Sequence, residues 1–421
     1  MQNRMRKSTS ETRFGIDELV DLGEPIDKLN CTQNLRSIFH RVPSLGTIGL
    51  HRLESINKLT KDKNKYFFYL FLAILLIVIG ALMARVVYKR NRESMHTDLA
   101  IEVASMEDPF IATPEHYQGK VSFVQALQAK DLSAFDVQLL SLKKNFQLDD
   151  LAMFLIIASP EDIKEVRLHI QDVNAKFNNL FPFHVVEATT IVPELYFLTK
   201  HSEAEVAPYY KEHKFGYITR MIVKLAAAEL VPTEFYLALD ADVVCVRPTS
   251  FNTLVQQGRA AVNKGKMSFD IHYQWKGAKH VLDAPPSLLA DETEYGGVPS
   301  LYHRTAVHKL KTYLEIVYQQ PWRYTLLRYL FGWSDYSLYY TFLRMANAFE
   351  KYHSATVDGV FRSKGIAEGM IGTKGWEQWD YGSALSSSAP GSFVHLNGLL
   401  DLSKDEISAK FSPFFVGENS D

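Results

Sequence analysis

The chain has 421 residues, with 46 Lys and Arg against 48 Asp and Glu and a formal net charge of −2. That near balance removes the electrostatic case for a nucleic-acid partner. Length and a 47% hydrophobic content allow one large domain plus appendages.

Residues 1–65 are polar, mixed in charge and without a sustained period, and read as a largely disordered tail. Tyr66 to Ala84 is a run of 19 residues without a charge. It is long enough to cross a bilayer as a helix, with Tyr66 and Tyr69 at one interface. It also lies too far from the N-terminus for an ordinary cleaved signal peptide. We assign residues 66–88 to a transmembrane signal anchor. Arg52, Lys58, Lys61, Lys63 and Lys65 precede it, and Arg85, Lys89, Arg90 and Arg92 follow it. This asymmetry slightly favours a cytosolic N-terminus. The only Asn-X-Ser/Thr triplet, Asn30-Cys31-Thr32, lies in that tail, so glycosylation cannot test the orientation. Cys31 and Cys245 are the two cysteines, read as lying on opposite sides of the membrane, so a disulfide between them is not expected.

Residues 89–148 read as a stem with helix-compatible pieces and no sheet. The globular domain, 149–421, opens with a buried strand at Leu151 to Ala158, ending at Ser159-Pro160. Helical character from Glu161 to Leu180, a strand at Phe183 to Glu187 and a helix from Tyr217 to Leu230 follow. This alternation predicts an α/β fold with a mostly parallel sheet flanked by helices. The next stretch, Phe235 to Pro248, is apolar on both strand faces and reads as a central strand. Asp240 and Asp242 are set into it, on one side of an extended chain. Two like charges in a dry site require either a proton on one or a cation between them. A divalent ion such as Mn²⁺ or Mg²⁺ is the economical answer.

On the preceding helix Ile218, Met221, Ile222 and Leu225 share one face, while Arg220 and Lys224 lie one turn apart on another. An anionic ligand relieves the repulsion of such a pair, and a solvated basic face fits equally well. Tyr217 to Pro248 resembles the central segment of GT-A-type nucleotide-sugar glycosyltransferases, in which a basic helix leads to a strand bearing Asp-X-Asp. Gly297-Val-Pro-Ser300 with Leu-Tyr-His-Arg after it, and Trp333-Ser-Asp-Tyr-Ser-Leu-Tyr-Tyr340, more narrowly resemble the DUF6492 glycosyltransferase-like family. The resemblance covers roughly residues 150–400 and excludes tail, span and stem.

This resemblance implies a GT-A (Rossmann-like) domain, lumenal, in a single-pass type II protein of the Golgi or endoplasmic reticulum membrane. The implied activity is a hexosyl or related transferase, inverting, moving sugar from a nucleoside-diphosphate donor to a glycan, glycoprotein or glycolipid. Asp240, Asp242, Arg220, Lys224 and Ser159 are then assigned to the donor nucleotide. Asp240 and Asp242, joined by His395 of Ser392-Phe-Val-His395, become metal ligands, although an ordinary hydrogen-bonded core histidine fits His395 too. Asp335, in the first turn of a helix that Ser334 caps, becomes the general base. Stabilising the positive helix end is its alternative role, and a retaining mechanism would leave it as an acceptor-binding group.

Gly296 to Ser300 reads as a turn where backbone passes a ligand, or as an ordinary tight turn. Gly297, Pro299, Ser300, Trp275 and Trp376 are the expected acceptor residues, with Trp379 beside them; tryptophan also serves as core. Two other functions compete. One is a catalytically silent, membrane-tethered binding protein on the same fold. The other is a phosphatase of the haloacid dehalogenase type, which also uses Asp-X-Asp-X-Val. That superfamily opens its domain with this strand, whereas two strands precede it here, and no later Gly-Asp-X-X-X-Asp run exists.

Overall fold

The computed structural model describes residues 50–107, 113–195, 214–267, 269–289, 291–328, 332–356, 391–395 and 409. The chain forms two units, Met1–Leu82 and Met83–Asp421. Helix α1 (Leu50–Ser105) begins inside the expected disordered tail. No Pro or Gly stands between Leu50 and Lys65 to stop a helix there. Phe68 to Arg90 is exposed throughout, and α1 is the one described helix long and apolar enough to cross a membrane.

The second unit is built on strands β1 (Val121–Ala126), β2 (Leu151–Ala158), β3 (Phe183–Glu187) and β4 (Phe235–Leu239). Further strands follow: β5 (Val243–Cys245), β6 (Val255–Gln256), β7 (Arg259–Lys266), β8 (Thr293–Tyr295), β9 (Ser300–His303), β10 (His353–Thr356) and β11 (Phe393–His395). Its main sheet has the order β3-β2-β1-β4-β9, parallel except for the antiparallel β4–β9 pair. The α/β class and the mostly parallel sheet are as the sequence predicts.

Strand alternation sorts residues into two cores. Phe235, Leu237 and Leu239 of β4 join a core shared with helices α2 (Leu132–Asn145) and α3 (Ile163–Lys176). Tyr236 and Ala238 face the other core. That second core holds residues of helices α4 (Lys214–Ala226), α5 (Phe269–Val281), α6 (Arg304–Tyr318), α7 (Trp322–Arg328) and α8 (Asp335–Met345). The predicted apolar face of α4, Ile218, Met221, Ile222 and Leu225, is buried there.

The expected stem requires correction. β1 lies inside the sheet between β2 and β4, and all six of its residues are buried. Its polar members hide it in the sequence: Ser122 is fully buried, and its Oγ accepts a hydrogen bond from Thr233 at 2.7 Å. Ala100, Val103 and Ala104 of α1 also enter the second core.

Candidate active site

β4 ends at Leu239, so Asp240 and Asp242 lie in the turn between β4 and β5, and the expected single strand through both is corrected. A bond of 3.1 Å from Val243 N–H to the Asp240 carbonyl closes this turn. Helix α2 clamps it. Gln138 Nε2 donates to the Asp240 carbonyl at 2.8 Å, and Asn145 Nδ2 to the Cys245 carbonyl at 2.7 Å. Ser141 Oγ accepts the Cys245 N–H at 3.0 Å. These three recur at i, i+3 and i+7, a polar stripe on one helix face. Sequence reasoning missed them, although such a stripe beside apolar positions was the available signal.

The two carboxylates have different basic neighbours, Lys224 beside Asp240 and His395 beside Asp242. Lys224 Nζ lies 2.5 Å from Asp240 Oδ1, its side chain 2% exposed. Burial pushes the Asp240 carboxyl up, but Lys224, with His395 and Arg220, outweighs it and holds the group below its ordinary value. Lys224, assigned from sequence to the donor phosphates, is therefore sequestered beneath Asp240. Its partner on the helix, Arg220, lines a cavity instead.

His395 Nε2 lies 3.3 Å from Asp242 Oδ1. Antiparallel pairing of β11 with β5 sets His395 opposite Val243, the residue after Asp242, and so delivers it to the turn. Burial lowers the imidazole pKa, but Asp242 and Asp240 outweigh it and the net shift is upward. Ligand atoms of Asp240, Asp242 and His395 lie within 4.8 Å of one another. Asp242 Oδ1 is buried and meets His395 as its one close partner among the described residues. Two carboxylates and an imidazole with their ligand atoms this close fit a divalent cation.

Asp335 opens α8 as expected, behind a Ser334–Ser337 capping box. It is buried, at 3% exposure, and Tyr302 Oη donates to its Oδ2 at 2.7 Å. Burial raises its pKa, with the nearby Asp240 charge adding and Lys224 opposing. Lys224 thus acts on both carboxylates, one hydrogen-bonded to it and one at longer range.

A cavity of about 310 Å³ opens at the carboxyl ends of β1 and β2. Gln128, Ser159, Thr189, Thr219 and Arg220 supply neutral and basic polar lining, and Glu161 and Asp162 add two carboxylates. Arg220 also acts electrostatically on Asp240, linking cavity and turn. The carboxyl ends of parallel strands are where open α/β sheets take their ligands.

The acceptor expectations fare differently. Trp275 is fully buried in the core and presents no surface to a sugar; Pro299 and Ser300 are buried too, as Asp335 is. Ser300 Oγ is already bonded to the Gly297 carbonyl. Gly297 is partly exposed, at φ 135°, and Gly296, at φ 79°, has no room for a Cβ, which would lie 2.4 Å from Tyr340. Register Ala238↔Ser300 brings this turn beside the end of β4, where Asp240 follows. Trp376 and Trp379 lie outside the described residues.

The family model described as "Family of unknown function (DUF6492)" matches residues 119–419. No curated protein matches in sequence. Among solved structures, mouse xyloside xylosyltransferase 1 aligns at 10% identity and TM-score 0.37, covering 66% of this chain and 98% of that one. Core-mannan synthase A from Aspergillus fumigatus, in its Mn/GDP form, aligns at 9% identity and TM-score 0.38, covering 60% and 76%. The galactosyltransferase LgtC, in complex with donor and acceptor sugar analogs, aligns at 10% identity and TM-score 0.37, covering 72% and 97%.

Proposed function

The chain belongs to the DUF6492 family, and from that premise we propose that it is a metal-dependent GT-A glycosyltransferase. It moves a sugar from a nucleoside-diphosphate donor to a glycan, glycoprotein or glycolipid acceptor. One observation carries this reading: Asp240, Asp242 and His395, from segments far apart in sequence, bring their ligand atoms within 4.8 Å beside a cavity at the strand ends. Asp240, Asp242 and His395 hold Mn²⁺ or Mg²⁺, which when bound neutralises charge on the leaving diphosphate.

The remaining roles belong to the protein's own side chains. Ser159 and Arg220 line the donor cavity, and Arg220 offers a cation to the phosphates. Lys224 holds Asp240 in place from below rather than touching the donor. Asp335 takes the proton of the acceptor hydroxyl in an inverting displacement; its raised pKa suits a base, and Tyr302 fixes the carboxyl plane. Residues 66–88 cross the bilayer once, in type II orientation, with the catalytic domain in the lumen of the Golgi or endoplasmic reticulum.

Incubating the purified protein with the common nucleotide sugars, with and without Mn²⁺, tests the reading. Metal-dependent donor hydrolysis by the wild type and its loss in Asp242→Ala are expected. Metal-dependent nucleotide binding with no turnover of any donor supports a second reading, a silent binding protein. The Lys224–Asp240 pair, which already satisfies one ligand carboxylate, favours that alternative.

A further inference from the structure

Helix α1 and the C-terminal end of α5 are bolted together just past the apolar run. Arg92 Nε lies 2.6 Å from Asp283 Oδ2, and His96 Nε2 lies 3.2 Å from the same oxygen. Tyr313 Oη joins the same corner, 3.2 Å from His96 Nδ1 and donating to the Leu282 carbonyl at 2.8 Å. Arg92 is four residues beyond Tyr88, so along a helix it stands about 6 Å past the end of the span. Lys89 is bonded to Tyr88 through the chain and therefore sits at the bilayer surface whatever the course of the rest of the span.

α5 is two-faced. Trp275, Ala278 and Val281 are buried. Tyr273 is 54% exposed, and Lys276, three residues on, is exposed on the same side. Lys279 follows, half-buried, its Nζ donating to the Pro286 carbonyl at 3.2 Å. Its charge is felt together with those of Lys89, Lys276 and Glu93. Arg85, Lys89 and Arg90 are exposed on α1. Against these cations stand Glu93, 3.8 Å from Lys89, and Asp283, which the Arg92 pair consumes. An exposed tyrosine beside lysines is the side-chain pattern of a membrane–water interface.

We infer that the Tyr273–Lys276–Lys279 face of α5, together with Lys89 and Arg90 of α1, is a docking surface for the phosphate-bearing headgroups of the bilayer that residues 66–88 cross. The surface holds the domain against the membrane through a second contact besides the span. This rests on the reading of residues 66–88 as membrane-spanning.

The full chain, with Cys31→Ser to leave only the buried Cys245, is labelled with an environment-sensitive fluorophore at one new cysteine. Lys276→Cys, Lys89→Cys, Leu76→Cys and Leu168→Cys are compared in phosphatidylcholine bilayers containing phosphatidylglycerol. Leu168 is the distant control, 59% exposed on α3, which packs in the opposite core. A headgroup-borne quencher is expected to quench position 276 as strongly as 89 and far more than 168. Omitting phosphatidylglycerol or adding salt should weaken quenching at 276 more than at 89. Quenching at 276 no greater than at 168, while Leu76→Cys reports from the hydrocarbon, overturns the surface. Leu76→Cys reporting from water overturns the spanning reading itself, and the surface with it.

Discussion

Lys224 Nζ and Asp240 Oδ1 meet at 2.5 Å, the lysine side chain 2% and the aspartate 22% exposed. A buried ion pair is costly to break from one side, because the survivor keeps its desolvation penalty without a partner; typical losses are about 3–5 kcal/mol. Lys224→Met should therefore lower the melting temperature sharply while nearly conserving volume. Added Mn²⁺ should recover part of the loss, since a bound cation again compensates Asp240. Thermal melts with and without metal decide it, and equal losses in both would show that Asp240 does not meet the ion.

Metal binding also predicts a stabilisation that follows mass action. At a metal concentration of 100 times Kd the wild type should gain about 2.7 kcal/mol. Asp242→Ala should gain none at that concentration. His395→Ala should bind more weakly than wild type but still respond. A full metal-induced shift in Asp242→Ala refutes the three-residue site.

Gln138→Leu removes the 2.8 Å donor from the Asp240 carbonyl. The carbonyl keeps the Val243 N–H, so the stability cost should stay within about 0.5–1.5 kcal/mol. If α2 positions the turn, the metal concentration for half-maximal activity should rise while Gln138→Glu, which keeps an oxygen but no donor to the carbonyl, fails to rescue it. An unchanged metal requirement reduces Gln138 to a packing residue.

Asp335→Asn keeps the shape and the Tyr302 contact but cannot accept a proton. Transfer should fall by about 10²–10⁴-fold, with metal and nucleotide affinity retained. Near-normal turnover with a lowered melting temperature assigns Asp335 to the helix end and to the Tyr302 hydrogen bond alone.

His353 is fully buried, with Nε2 at 2.8 Å from Tyr339 Oη, and burial lowers its pKa from 6.5 to about 3. Between those values the unfolded chain binds a proton that the folded chain does not. Stability therefore rises with pH across that window and is lost as pH falls from 6.5 towards 3. His353→Gln should flatten this part of the stability profile, read from denaturant melts at a series of pH values. An unaltered slope would place the acid sensitivity elsewhere.

Much of the chain was legible without coordinates, for reasons that are local. The charge-free run from Tyr66, the strands at Leu151–Ala158 and Phe183–Glu187, the apolar face of α4 and the Ser334 cap all declare themselves through periodicity or capping within a few residues. β1 was lost because burial inside a sheet depends on neighbours on both sides. Ser122 is satisfied by Thr233, more than a hundred residues away. The same physics separated the site residues. Sequence alone could nominate Asp240, Asp242 and His395, but only the β11–β5 pairing brings the histidine to the turn. It could also pair Arg220 with Lys224 as a basic face. Packing α4 onto the sheet then divides them, turning Arg220 towards the cavity and Lys224 inward, where a lone ammonium is tolerable only against Asp240. Trp275, Pro299 and Ser300 went to the core for the complementary reason: side-chain type is written in the sequence, whereas exposure is decided by what the rest of the chain lays over it.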